Sequence, residues 1–169
     1  AEFLHEFRAL QIMSQNIHPL IVAEVGANHC GELTLALEHI EAAAEAGADV
    51  VKFQSLDVSK QYHNAEKKIL DLHKKIDLQK EWLEDLNHTA TSRGIEFMSA
   101  PTYLEAVDDL EKLNVKRYKI ASAQLPLFPQ LITKIAQTKK PTLASIGIST
   151  IREILEVRDA FFKEGNRDL

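Results

Sequence analysis

The sequence predicts an α/β fold: a parallel (β/α) barrel of the TIM type, of which about five βα units are present, a partial barrel. Three observations carry this. Short apolar runs rich in branched residues alternate five times with stretches of helical period. Strict alternation implies parallel strands joined by right-handed crossovers. Polar residues gather near the carboxyl end of each apolar run, the edge where barrels of this type build their sites. No Gly-x-Gly-x-x-Gly and no Walker motif follows a strand, which argues against a dinucleotide or P-loop fold. Such barrels close with eight strands, so five leave parallel edges open.

The first strand is Leu20 to Val25, an apolar run with Glu24 near its end. A helix over Leu33 to Ala46 places Leu33, Ala36, Leu37, Ile40 and Ala44 on one face, and Gly47 is placed to end it. Asp49 to Gln54 is the second strand. Residues 56–77 are polar, with Lys60, His63, Lys67, Lys68, His73, Lys74 and Lys75. A partial stripe suggests a helix over Ala65 to Ile76, either a solvated insertion or a lid. Asp77 is a candidate N-cap for a helix reaching about Ser92. Ile95 to Ala100 is strand three, followed by a helix with Leu104, Val107, Leu110 and Leu113 inward. Lys116 to Ser122 is strand four. Phe128, Leu131, Ile132 and Ile135 mark the next helix, with Pro129 in its first turn. Pro141 to Ile146 is strand five. Thr150 and Glu153 form a capping-box pattern for a last helix ending near Gly165. Residues 1–17 read as an N-terminal extension or an expression remnant, with Met13 a possible natural start, and 18–169 as one barrel domain.

The bulk numbers narrow the function. A net charge of −5 gives no basic field for nucleic acid or an anionic membrane. No apolar run approaches membrane-spanning length. Cys30 is the single cysteine, which fits a reducing cytosol, so a cytoplasmic location is expected.

The chemistry-bearing residues are scattered in sequence but share one barrel face. They are Glu24, Asn28 and His29 after strand one, Lys52 and Gln54 on strand two, and Ser99 on strand three. Lys119, Ser122 and Gln124 follow from strand four, and Ser145, Ser149 and Thr150 from strand five. Lysine is rarely buried unless paired. Two lysines at equivalent strand positions, with an acid nearby, suggest a pocket for a small dianion, to which Ser122 and Ser145 add hydroxyl donors. Glu24 can be a base, a proton donor, a hydrogen-bond anchor or merely the partner of Lys52. His29 is either a hydrogen-bonded structural residue or a contact to substrate or metal. Cys30 reads as a small buried residue rather than a nucleophile.

Five stretches carry a family resemblance. They are Ile-Val-Ala-Glu-Val-Gly-Ala-Asn-His-Cys-Gly (21–31), Ala-Gly-Ala-Asp-Val-Val-Lys-Phe-Gln (46–54), Gly-Ile-Glu-Phe-Met-Ser-Ala-Pro (94–101), Tyr-Lys-Ile-Ala-Ser (118–122) and Ile-Gly-Ile-Ser-Thr (146–150). Together they resemble the sialic acid synthase family, N-acetylneuraminate synthase and its legionaminic and pseudaminic relatives. The resemblance implies a transferase that condenses phosphoenolpyruvate with N-acetylmannosamine or a related sugar. The products are a nine-carbon 2-keto sugar acid and phosphate. It implies Lys52, Lys119, Ser122 and Ser145 as phosphoenolpyruvate contacts and Glu24 as the acid at the reacting centre. Asn28, His29, Gln54 and Ser99 complete the expected substrate-binding set. The resemblance also implies a divalent metal, manganese or magnesium, whose ligands lie on later strands not in this chain, and a homo-oligomer, a dimer in full-length members.

The sequence departs from the family pattern in places. Cys30 stands for an asparagine, Ala100 for a threonine, and Ala123-Gln124 for a glycine followed by an acid. Gln124 therefore occupies a catalytic position with a side chain that cannot exchange protons. Two alternatives stay open: another phosphoenolpyruvate-dependent 3-deoxy sugar acid synthase, or a non-catalytic homologue that binds ligand or self-assembles.

Overall fold

A computed structural model describes residues 19–61 and 64–169. The expected 1–17 extension and His63 lie outside the described residues. The strands are β1 (Val22–Gly26), β2 (Val50–Ser55), β3 (Glu96–Pro101), β4 (Tyr118–Ile120) and β5 (Thr142–Ala144). The helices are α1 (Leu33–Glu45), α2 (Val58–Gln61), α3 (Lys67–His73), α4 (Leu83–Ser92), α5 (Leu104–Lys112), α6 (Gln124–Leu127), α7 (Pro129–Gln137) and α8 (Ile151–Lys163). Short 3₁₀ turns cover Lys74–Ile76 and Lys80–Trp82.

Every paired strand is parallel, as the alternation implies. β1, β2 and β3 form one ladder and β4 and β5 another. Glu24 stands opposite Lys52, Lys52 opposite Met98, and Lys119 opposite Leu143. β3 and β4 lie side by side without a ladder between them. At their amino ends Arg117 Nε donates to Glu96 Oε1 at 2.8 Å. The result is a TIM-barrel-type α/β arrangement whose five described strands do not close.

The helices cover one side of the strands with the expected apolar stripes. Ala36 and Ile40 of α1, Leu86 and Ala90 of α4, and Val107 and Leu110 of α5 are buried. So are Leu131, Ile132 and Ile135 of α7, and Val157 and Phe161 of α8. Gly47 follows α1 with φ +81°, the left-handed stop its position predicts. Pro129 begins α7, and the Thr150–Glu153 capping box forms in full.

Several local expectations need correction. Asp77 does not cap the helix through Ser92. Its Oδ1 accepts from the Val58 N–H at 2.8 Å, so it caps α2 across the loop, and α4 begins only at Leu83. Burial pushes the Asp77 carboxyl up, while its bond to the Val58 N–H pulls the other way. The helix expected over 65–76 is α3 plus a 3₁₀ turn. Its Ile69 is exposed, as in a solvated insertion. β4 and β5 are shorter than their apolar runs because only the residues between them pair.

Candidate functional site

The acid and the first lysine meet at the ends of β1 and β2. Opposite positions in a parallel pair point to one face, and Glu24 Oε2 forms an ion pair with Lys52 Nζ. Lys52 is buried, whereas the Glu24 side chain is half-exposed. The β1–β2 register shifts between Glu24 and Gly26. Gly26 has φ +60°, and a Cβ there would come 3.1 Å from Glu24 Oε1 and 4.0 Å from Gln54 Nε2. A glycine is thus required where the backbone, the acid and the Gln54 amide converge.

The second lysine comes from the other sheet. Lys119 Nζ donates to Ser145 Oγ at 2.5 Å and to the Ile120 carbonyl at 2.6 Å. No carboxylate among the described residues is within ion-pair reach of it. Burial pushes the Lys119 ammonium below the ordinary lysine range. The positive charge of Lys52 adds to this, and Glu24 opposes it. The two sheets therefore share one electrostatic site. Ser122 lies beside Gly147, whose Cβ would stand 3.8 Å from the Ser122 Cβ. Ser149 Oγ is buried without a partner among the described residues.

Gln124 opens α6, and its buried Oε1 has no partner among the described residues. It lines a cavity of about 540 Å³ with Gln54, Lys60, Gln61, Ala100 and Thr102. Gln61 Nε2 donates to Thr102 Oγ1 at 2.8 Å. Sequence reasoning missed Lys60 and Gln61 as lining residues, because α2 has only four residues and shows no period. The signal was Asp57, whose carboxylate accepts from the Ser59 N–H at 3.0 Å.

The other predicted residues are placed differently. Asn28 is exposed on the loop after β1, its N–H bonded to the Val25 carbonyl at 3.0 Å. His29 does not face the pocket. It is fully buried, its ring centroid 5.7 Å from that of Trp82 and 6.5 Å from that of Phe53. Its Nδ1 accepts from the Gly31 N–H at 3.1 Å, so the proton of the neutral ring sits on Nε2. Burial, then the nearby His39, pushes its pKa down. His29 is thus a structural residue of the loop. Ser99 also turns away. Met98 and Ala100 share the face of Lys52 and Gln54, so Ser99 points to the helices, where its Oγ lies 2.8 Å from Ser55 Oγ. Cys30, expected buried, is exposed, at a loop position whose φ is +52°.

Among the described residues, no three His, Cys, Asp or Glu side chains converge on a metal site. The residues present do not form a cage for the divalent ion that the resemblance implies. No helix among them is long and apolar enough to cross a membrane.

Comparison with known proteins agrees with this fold. The family model described as the NeuB family matches residues 39–169. The pseudaminic acid synthase of Campylobacter jejuni (serotype O:2) is 34% identical over 162 residues, covering 88% of this chain and 47% of that protein. The N,N'-diacetyllegionaminic acid synthase of the same organism is 36% identical over 159 residues, covering 86% and 47%. The structure of the sialic acid synthetase of Leptospira borgpetersenii, solved with citrate, superimposes with a TM-score of 0.82 at 28% identity. It covers 90% of this chain and 55% of that one. The chain spans about half the length of the curated relatives it matches. On these matches and on the strand-end site, the chain belongs to the NeuB family, among whose members are sialic, pseudaminic and legionaminic acid synthases.

Proposed function

We propose that this chain forms the phosphoenolpyruvate half of a sugar-acid synthase site. The whole reaction joins C3 of phosphoenolpyruvate to the aldehyde carbon of N-acetylmannosamine or a related N-acetylated hexosamine. Water adds at C2, and the tetrahedral intermediate loses phosphate, giving a nine-carbon 2-keto sugar acid. The observation that supports this best is Lys119: a half-buried ammonium with neutral partners, within electrostatic reach of the Lys52–Glu24 pair. Such a cation gains most from an incoming dianion.

Each residue then has a role. Lys119 and Lys52 hold the phosphate and carboxylate. Ser122 and Ser145 donate hydroxyls to the same groups. Glu24, beside Lys52, takes the proton of the water that adds at C2. Gln54 and Gln124 present amide groups to the hydroxyls of the acceptor sugar. A divalent ion would polarise the aldehyde, but no cluster among the described residues fits it. A cytoplasmic homo-oligomer, a dimer as in full-length members of the family, completes the proposal. The two Campylobacter relatives are named for different sugar acids at similar identity, which supports an acceptor of the N-acetylated hexosamine class without favouring either product.

Calorimetric titration with phosphoenolpyruvate tests the pocket. Binding that weakens in both Lys52→Ala and Lys119→Ala is expected, and equal binding by all three proteins ends the proposal. A second reading is a ligand-binding homologue without catalysis, favoured by Gln124 where the family has an acid. Phosphate release with N-acetylmannosamine separates the two. Release only with arabinose 5-phosphate or erythrose 4-phosphate would instead point to a 3-deoxy sugar acid synthase.

A further inference from the structure

We propose that Lys119 is a covalent capture site for small 2-keto acids, its Nζ joined to the keto carbon as an imine. The site is Lys119 on β4 and Ser145 just past β5, with the Lys52–Glu24 pair of the other sheet beside them. Capture rests on the proposed function only in that this face takes a carboxylate, and no condensation step is needed.

Lys119 stands apart from other lysines of the chain. Lys60, Lys112 and Lys140 are each held by a carboxylate, of Glu105, Asp109 and Glu111 in turn. Such a partner keeps the proton on the nitrogen, and Asp109 pushes the Lys112 pKa up. Among the described residues, Lys119 Nζ reaches only the Ser145 hydroxyl at 2.5 Å and the Ile120 carbonyl at 2.6 Å. Glu24, the acid whose charge it feels, is already engaged by Lys52. Burial, and then the Lys52 charge, push the Lys119 pKa down. A part-buried lysine beside a second cation is the setting that makes an amine a nucleophile.

The two neighbours suit the free amine. A neutral amine has two N–H groups and one lone pair. Two oxygens accept from Nζ, so both N–H groups are used and the lone pair is left to attack. The lone pair forms a bond to C2 of the keto acid while the C=O pair moves to oxygen. The Ser145 hydroxyl passes its proton to that oxygen and takes one from Nζ. The C2–O bond breaks as the new hydroxyl, protonated from solvent, leaves as water. The nitrogen lone pair then completes a protonated C=N bond. The carboxylate beside C2 lies against Lys52, which exchanges Glu24 for it, and this selects a 2-keto acid over a simple ketone. The ammonium form of Lys119 holds an anion and the free amine captures a carbonyl, so one side chain serves both in different charge states.

The test is incubation of the chain with pyruvate and cyanoborohydride at mildly alkaline pH, with peptide mapping by mass spectrometry. Cyanoborohydride delivers hydride to C2 and fixes the imine as a secondary amine. Capture at Lys119 is expected about fivefold or more faster than at the exposed Lys67 and Lys68. All three rates are read on the wild-type chain. Lys119→Met should remove the fast adduct and leave the slow ones. Acetone lacks the carboxylate, so the preference for Lys119 over Lys67 should narrow with it. Glu24→Gln removes a charge that favours the ammonium and frees Lys52, so capture at Lys119 should speed up. Capture spread evenly over the lysines, an equal preference with acetone, or no acceleration in Glu24→Gln overturns the inference. Excess phosphoenolpyruvate separates the two proposals. Fast capture at Lys119 that phosphoenolpyruvate does not block supports the imine site and counts against the proposed function.

Discussion

Lys52 and Lys119 hold matching places near the ends of strands in two different sheets, but their charges are treated differently. Lys52 is buried and already has a carboxylate, Glu24, from the neighbouring strand. Lys119 is half-buried and, among the described residues, bonds only a hydroxyl and a carbonyl. On the proposed function, the first lysine would exchange one anion for another on binding an anionic ligand. The second would exchange neutral partners for a charged one, at less cost and with more gain. The two-stranded sheet thus holds a cation with neutral partners, which the proposed function assigns to the ligand, and the three-stranded sheet holds a cation already paired with an acid.

The largest effect is expected from Lys119→Ala. Phosphoenolpyruvate binding should weaken by roughly 30- to 150-fold, the equivalent of about 2–3 kcal/mol for a charged hydrogen bond. Lys52→Ala should cost about tenfold, because part of its charge is already offset by Glu24. A calorimetric loss at Lys52 as large as that at Lys119 would break the comparison. Glu24→Gln sharpens it from the other side. Freed of its carboxylate, Lys52 should bind phosphoenolpyruvate several-fold more tightly, while the fold loses about 1–2 kcal/mol for a buried, unpaired charge, discounted because Glu24 is half-exposed. Denaturant titration gives the second number, and unchanged stability would show that the pair contributes nothing.

The pH dependence should follow Lys119. Its folded pKa lies below that of the unfolded chain, so between the two values the unfolded state holds more protons. Stability should therefore rise with pH through the alkaline window just below the ordinary lysine value of about 10.4. An anion favours the charged form, so ligand binding in that window should take up protons. Calorimetry in buffers of different ionisation enthalpy reads this directly, and Lys119→Met should abolish the uptake. The smallest effect belongs to Ser99→Ala. Ser55 would lose a buried partner at about 1 kcal/mol in stability, with phosphoenolpyruvate affinity unchanged within about twofold. A large loss of binding would return Ser99 to the pocket.

Much of this was legible in the residues themselves. Branched apolar runs and helical stripes mark every βα unit, and the alternation names the parallel sheet. Glu24, Lys52 and Lys119 stand out because charged side chains in buried strands need partners. Ser99 misled because its side depends on register with β2, and Lys52 pairs with Met98 rather than with Ser99. His29 misled because no period fixes where a loop side chain points, and here it points between Trp82 and Phe53. Asp77 carries the right chemistry for a cap, but the N-terminus it meets is 19 residues earlier in the chain. The helices α2 and α6, of four residues each, are too short to show a stripe.

By itself the sequence determined the order of strands and helices, the stops between them, and the kind of side chain each strand end carries. Those are consequences of local periodicity and of the chemistry of single residues. Only the tertiary structure decided that Glu24 answers Lys52, that Lys119 is held by neutral groups, and that Ser99 and His29 face away from the pocket. Pairing register and charge compensation join residues 26 to 44 positions apart, and no local pattern reports them.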